Sequence, residues 1–175
     1  MKKEFEMTDL GLMKYFLGLE VTQTDNSIFI FQHKHAIDIL QRFRMDKCKP
    51  AETPIALGTK LTKNGDEPAV NNTLYKQMVG SLMYLTTTRP DLMYVVSLIS
   101  RFMESPKDSH WNVGKRILRY VAGTLGYGLW YTHTPDNTLT GYTDSDFAGS
   151  LDDRKSTSGY AFHLGTNLIS WASQK

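Results

Sequence analysis

A chain of 175 residues has room for one ordinary domain or two small ones, and 41% hydrophobic against 22% charged side chains supplies a real core and excludes wholesale disorder. The net charge of +2 is too small to identify a polyanionic partner, and the single cysteine, Cys48, excludes an intrachain disulfide and a cysteine-based zinc site. No run approaches the roughly 20 apolar residues of a bilayer span, and Met1-Lys2-Lys3-Glu4-Phe5-Glu6 has no apolar stretch after its basic residues, so neither a membrane anchor nor a secretory signal is expected.

The first ten residues read as the tail of a helix stopped near Gly11. Tyr15-Phe16-Leu17-Gly18-Leu19-Glu20-Val21 reads as one strand, Thr24-Asp25-Asn26-Ser27 as a turn, and Ile28-Phe29-Ile30-Phe31 as a second strand, making a β-hairpin. From Lys34 the period changes to helical, with Ala36, Ile37, Leu40 and Phe43 on one face. Pro50, Pro54, Gly58, Gly65 and Pro68 then punctuate a loop to about Asn72, long enough to be a linker or a wrapped surface arm.

Leu74, Met78, Leu82 and Leu85 mark a helix, broken at Arg89-Pro90-Asp91, where proline suits the first turn of the next. That next helix carries Leu92, Val95, Val96, Ile99 and Phe102. A third, from about Lys107 to Ala122, turns Trp111, Leu118 and Val121 inward and ends at Gly123 and Gly126. The remainder is a β meander: Leu129–Tyr131, Leu139–Thr143, Gly159–Leu164 and Leu168–Ala172, with a hairpin turn at Gly165-Thr166-Asn167. The expected class is α+β.

Charge is unevenly placed. Residues 101–125 carry five basic and two acidic side chains, and residues 126–175 carry three and five. A basic helical segment before an acidic strand-rich one fits a phosphate-contacting surface beside a metal-binding one, though ordinary surface variation gives the same pattern.

Thr143-Asp144-Ser145-Asp146 ends a strand and leads into Ala148 and Gly149. If the strand continued, Asp144 and Asp146 would face the same side, a geometry suited to Mg²⁺. On its own this signal is weak, because aspartate is common in turns. His33, His35, His110, His133 and His163 show no metal-ligand spacing and read as surface or core histidines.

The neighbourhood of Asp144 is more specific. Gly141-Tyr142-Thr143-Asp144-Ser145-Asp146-Phe147-Ala148-Gly149, then Arg154-Lys155-Ser156-Thr157-Ser158-Gly159-Tyr160 and Ile169-Ser170-Trp171, resembles the start of the ribonuclease H domain of Ty1/copia-type retrotransposon polyproteins. Upstream, Phe5-Glu6-Met7-Thr8-Asp9-Leu10-Gly11 with Tyr15–Val21 is similar to the end of that family's reverse transcriptase palm. Tyr75, Val79–Leu85 and Thr88–Leu92 resemble its thumb and connection.

The resemblance covers almost the whole chain with its motifs in order, and it implies three segments. Residues 1–45 would be the end of the palm with a primer-grip-like hairpin, 46–126 the thumb and connection helices, and 127–175 a truncated ribonuclease H-like domain. It implies that Asp144 is the first metal-binding carboxylate and the catalytic position, and leaves the role of Asp146 open. It places Phe16, Leu17 and Gly18 at the primer grip, where residue types alone favour a buried strand with a glycine for close backbone approach. Arg154, Lys155 and Ser156, with Lys115, Arg116 and Arg119 of the third helix, become candidates for phosphate contacts. For the helix residues, a solvated basic face is the plain alternative.

The implied partners are an RNA–DNA hybrid or template–primer duplex and the rest of the polyprotein. The implied cofactor is Mg²⁺ in the intact enzyme. Location would be cytoplasmic, in a virus-like particle, or nuclear.

The paired-aspartate turn of the palm is absent from the sequence, and the chain stops at Lys175 before further acidic residues. The expectation is therefore a fragment with neither polymerase nor nuclease activity alone and no stably bound metal, its uncovered meander exposing an apolar face. The alternatives are a non-catalytic nucleic-acid-binding protein derived from such an element, and a degenerate relic without function.

Overall fold

The computed structural model describes residues 11–175, so the helix tail expected over the first ten residues lies outside the described part. In chain order the elements are β1 (Tyr15–Phe16), β2 (Leu19–Gln23), β3 (Ser27–Phe31), α1 (His33–Arg42), α2 (Asn72–Leu85), α3 (Met93–Ser100), α4 (Asp108–Gly123), β4 (Gly128–Thr132), β5 (Leu139–Ser145), β6 (Ser158–Leu164) and β7 (Asn167–Gln174). The fold is α+β with two antiparallel sheets, ordered β1-β2-β3-β4 and β5-β6-β7.

The helices hold the core. Tyr75, Met78, Val79, Leu82 and Leu85 of α2 meet Val95, Val96 and Ile99 of α3 and Ile117, Leu118 and Val121 of α4, all buried in one cluster with Ala36, Ile39 and Leu40 of α1. Their spacing at three and four residues is what turns one face of each helix inward. Asn71 caps α2, its side chain accepting the Leu74 N–H at 2.9 Å. Tyr75 is buried with its hydroxyl donating to the Ile99 carbonyl at 2.8 Å, and burial pushes its pKa well above the ordinary tyrosine value. Leu74, the first residue of the helical repeat that marked α2, is exposed.

Three expectations are corrected. The run Tyr15–Val21 is two strands, because the chain reverses at Leu17 and Gly18, both at positive φ (48° and 83°) as a two-residue hairpin turn requires. The helix expected from Pro90 begins as a 3-10 turn over Pro90–Leu92 and becomes α-helical only from Met93. The strand expected to open the C-terminal meander, now β4, pairs with β3 in the N-terminal sheet instead.

Gly128 makes that third pairing possible. A Cβ there would stand 2.5 Å from the Ile30 carbonyl oxygen and 2.8 Å from the Phe31 Cβ. Two residues on, Trp130 stacks on Phe29 with centroids 4.5 Å apart, adding a cross-strand aromatic pair to the ladder. Gly128→Ala is therefore expected to cost about 1–3 kcal/mol by overpacking. An unchanged urea midpoint for this variant would show that β4 does not lie against β3.

The β5-β6-β7 sheet docks on the helices through one face. The Trp171 indole donates to the Thr86 carbonyl at 3.2 Å, and the Ser97 hydroxyl donates to the Ser173 carbonyl at 2.9 Å. Asn167 ties the two sheets together, exchanging hydrogen bonds with the Thr132 backbone at 2.8 and 3.0 Å. On the opposite face Tyr160, Phe162 and Leu164 are exposed, with Leu139 beside Leu164 on the neighbouring strand. The meander is thus covered on one side and bare on the other.

Candidate catalytic position and nucleic-acid surface

Asp144 sits near the end of β5, opposite Gly159 of β6, and is exposed. One of its carboxylate oxygens accepts the N–H of Ser145 at 2.8 Å. It stands at a groove of about 410 Å³ between this sheet and the start of α3, lined also by Met93, Tyr94, Ala161 and Trp171. The strand placement read from the sequence is the one observed.

Asp146 does something different. The strand ends at Ser145, and the Asp146 Oδ1 accepts the Thr157 N–H at 2.7 Å and the Gly149 N–H at 3.4 Å. Its own N–H donates to the Thr157 carbonyl at 3.1 Å. This carboxylate closes the loop between β5 and β6. Thr157, itself buried, also accepts from the Arg101 guanidinium at 2.8 Å, which fastens the loop to the end of α3.

These residues do not by themselves fit a two-metal site. Of the two carboxylates one is committed to backbone N–H groups, and among the described residues no cluster of three or more His, Cys, Asp or Glu could hold a metal ion. Magnesium retains much of its hydration and needs several hard oxygen ligands to be fixed.

Phe16, Leu17 and Gly18 form the tip of the β1–β2 hairpin. The alternative of a buried strand fails, since Phe16 is 54% and Leu17 76% exposed. A non-glycine, γ-branched residue at positive φ is strained and persists only when its surroundings hold it. The holder is Tyr84 of α2, whose hydroxyl donates to the Leu17 carbonyl and whose ring takes the space a Cβ at Gly18 would need. Tyr84 is held in turn by the edge of the His35 ring at 4.9 Å, and a His35 ring nitrogen lies 3.1 Å from the Ser81 carbonyl. Tyr84 carried no sequence signal for this role beyond being a tyrosine on a helix.

The basic candidates divide. The Arg116 guanidinium donates to the Thr53 hydroxyl at 2.9 Å, and the Arg119 Nε donates to the Lys49 carbonyl at 2.7 Å. Both side chains therefore fasten the arm after α1 onto α4. Neither belongs to a freely solvated basic face. Lys115 is half-buried on the same helix. Arg154, Lys155 and Ser156 lie exposed in the β5–β6 loop, where Arg154 adopts a φ of 55° and the Ser156 hydroxyl accepts the Ala148 N–H at 3.1 Å. The structure does not bring the hairpin-tip, α4 and β5–β6 loop residues into one cluster.

A family model described as reverse transcriptase (RNA-dependent DNA polymerase) matches residues 1–57. The retrovirus-related Pol polyprotein from transposon RE2 of Arabidopsis thaliana is 39% identical over 175 residues, covering 100% of this chain and 12% of that protein. The corresponding polyprotein from transposon TNT 1-94 of Nicotiana tabacum is 39% identical, covering 99% of this chain and 14% of its own length. An uncharacterized mitochondrial protein of Arabidopsis thaliana is 36% identical, over 98% of this chain and 71% of its own length. The chain spans about an eighth of the length of the polyproteins it matches. No solved structure matches it.

Proposed function

We propose, starting from the fact that this chain belongs to the retrovirus-related Pol polyproteins of copia-like transposons, that it supplies template–primer contacts and the first carboxylate of a ribonuclease H-like site. The division into a grip hairpin over 1–45, thumb and connection over 46–126 and a ribonuclease H-like segment over 127–175 belongs to the same proposal, although β4 is hydrogen-bonded to the hairpin sheet. The remainder of the polyprotein and a nucleic-acid duplex are the partners this reading requires. A cytoplasmic particle or the nucleus is the matching location, and no helix among the described residues is long and apolar enough to cross a membrane.

One observation carries the reading. An exposed apolar tip, Phe16-Leu17-Gly18, is kept in a strained turn by a hydrogen bond from Tyr84. Strain at an exposed apolar turn contributes nothing to folding and fits a surface shaped for a ligand. Asp144 supports it more weakly, as an exposed carboxylate at a strand end beside a groove.

The test is binding of the purified chain to an RNA–DNA hybrid across a salt series. The expected slope of log affinity against log salt is about −0.9 for each phosphate neutralised, and Leu17→Asp weakens binding several-fold without changing the fold. In Mg²⁺ the chain is expected to bind without cutting. Hybrid cleavage abolished by Asp144→Asn would overturn that expectation, and salt-independent or absent binding would overturn the proposal itself.

A further inference from the structure

A second cleft, of about 210 Å³, opens between three segments far apart in sequence. Thr59, Lys60, Leu61 and Lys63 come from the arm before α2. Arg101 and Phe102 come from the end of α3. Lys155 and Thr157 come from the β5–β6 loop. The segments are cross-tied, since Asp152 accepts the Thr62 hydroxyl at 2.6 Å and the Lys63 N–H at 3.0 Å. The cleft is therefore a built feature of the fold.

Its charges are unbalanced in a particular way. Each carboxylate at the cleft is already engaged. Asp146 accepts from Thr157 and Gly149, Asp152 from Thr62 and Lys63, and Asp153 from Lys175 at 2.7 Å. The Thr62 hydroxyl holds Asp152 below the usual carboxylate range, and the Lys175 hydrogen bond holds Asp153 well below it. Lys60, Lys63, Arg101 and Lys155 have no ion pair among the described residues. The Arg101 Nε is buried and has no hydrogen-bond partner, while an Nη of the same guanidinium is fixed on Thr157.

A buried guanidinium N–H without an acceptor is costly, and a fork of N–H groups surrounded by unpaired cations matches a tetrahedral oxyanion. We infer that this cleft binds a phosphoryl group, with Arg101 as its anchor and Lys60, Lys63 and Lys155 around it. The phosphate comes from a nucleic-acid backbone or from a small phosphate ester. A backbone source rests on the function proposed above, whereas phosphate recognition does not.

The test is a titration of the 175-residue chain followed by amide and arginine Nε–H chemical shifts, at fixed ionic strength in chloride. Inorganic phosphate is one probe and a short single-stranded DNA is the other. The expected result is saturable movement of the Arg101 Nε–H with both probes, and DNA affinity about tenfold lower in Arg101→Gln. Because Arg101 also fastens the loop, Lys63→Gln, whose side chain makes no hydrogen bond or ion pair among the described residues, serves as the second variant and is expected to weaken both probes.

Saturation by phosphate without DNA binding leaves the cleft as a small-ester site and removes the nucleic-acid reading. DNA binding untouched by either variant overturns the cleft and leaves that reading standing. Unsaturable shifts spread over the surface overturn the cleft as well.

Discussion

Arg89→Ala is expected to cost about 2–4 kcal/mol and to lower the melting temperature by roughly 10 °C. Arg89 is 2% exposed. Its guanidinium grips the Asp91 carboxylate through Nε at 2.9 Å and Nη2 at 2.7 Å. It also reaches across to α4's end, donating to the Thr124 carbonyl at 3.0 Å and hydroxyl at 2.8 Å. Tyr120 and Tyr127 flank it at 5.5 and 5.1 Å, close enough for cation–π attraction. One residue thus joins the break between α2 and α3 to the exit from α4. Removing it leaves the Thr124 carbonyl and hydroxyl without their donor and empties a buried site between Tyr120 and Tyr127, while Asp91, one-third exposed, turns to water. Arg89→Lys should recover little, because an ammonium cannot make the fork. A thermal midpoint within about 2 °C of the parent for Arg89→Ala would refute this account.

Most of the helical part of the fold could be read from sequence. Met78, Leu82 and Leu85 gave the α2 stripe, and Leu118 and Val121 that of α4, because helical burial follows from neighbours three and four residues away. The strands of the meander were found for a similar reason, their register being set by the turn at Gly165–Asn167. Placement of β4 was not legible. Its partner β3 lies about a hundred residues earlier, and nothing in Leu129-Trp130-Tyr131 says which sheet it joins. The break at Leu17 was hidden because leucine is a poor marker of positive φ, and only Gly18 hinted at it.

The candidate site divides the same way. Asp144 was visible as a strand-end aspartate with a distinctive neighbourhood. The task of Asp146 depends on Thr157, whose N–H it accepts only once the loop has closed. Arg116 and Arg119 looked like a solvated basic face because helical spacing reports which residues share a face. The arm that covers that face, through Thr53 and Lys49, is more than 60 residues away. The anchor of the phosphate cleft, Arg101, emerged from the convergence of three segments and had no local pattern to mark it.

Stability is expected to fall as pH drops below about 6.5, before any carboxylate contributes, and His110 is the cause. The ring is fully buried and stacked on Phe102 with centroids 3.9 Å apart. Its Nδ1 accepts the Lys107 N–H at 3.0 Å, so the Nε2, 3.1 Å from the Thr62 carbonyl, must carry the proton and donate. Only the neutral ring can make both bonds. Burial lowers its pKa from 6.5, outweighing the opposing pull of the Thr62 carbonyl, Glu67 and Asp152, while nearby Lys107 adds to the lowering. The unfolded chain therefore takes up a proton at higher pH than the native one. The stabilisation is complete above the unfolded value and is lost as pH falls from there through the folded value. Glu67 and Asp152 are lowered from 4.5 and 3.8, so their contributions are lost only in more acidic solution. His110→Gln should cost about 2–3 kcal/mol at pH 7.5, from the lost ring packing and two imperfectly replaced hydrogen bonds. It should also flatten the dependence of the urea midpoint on pH just below 6.5. If the variant keeps the parent's slope in that window, the proton is taken up elsewhere, and His110 is only a packing residue between α4 and the arm.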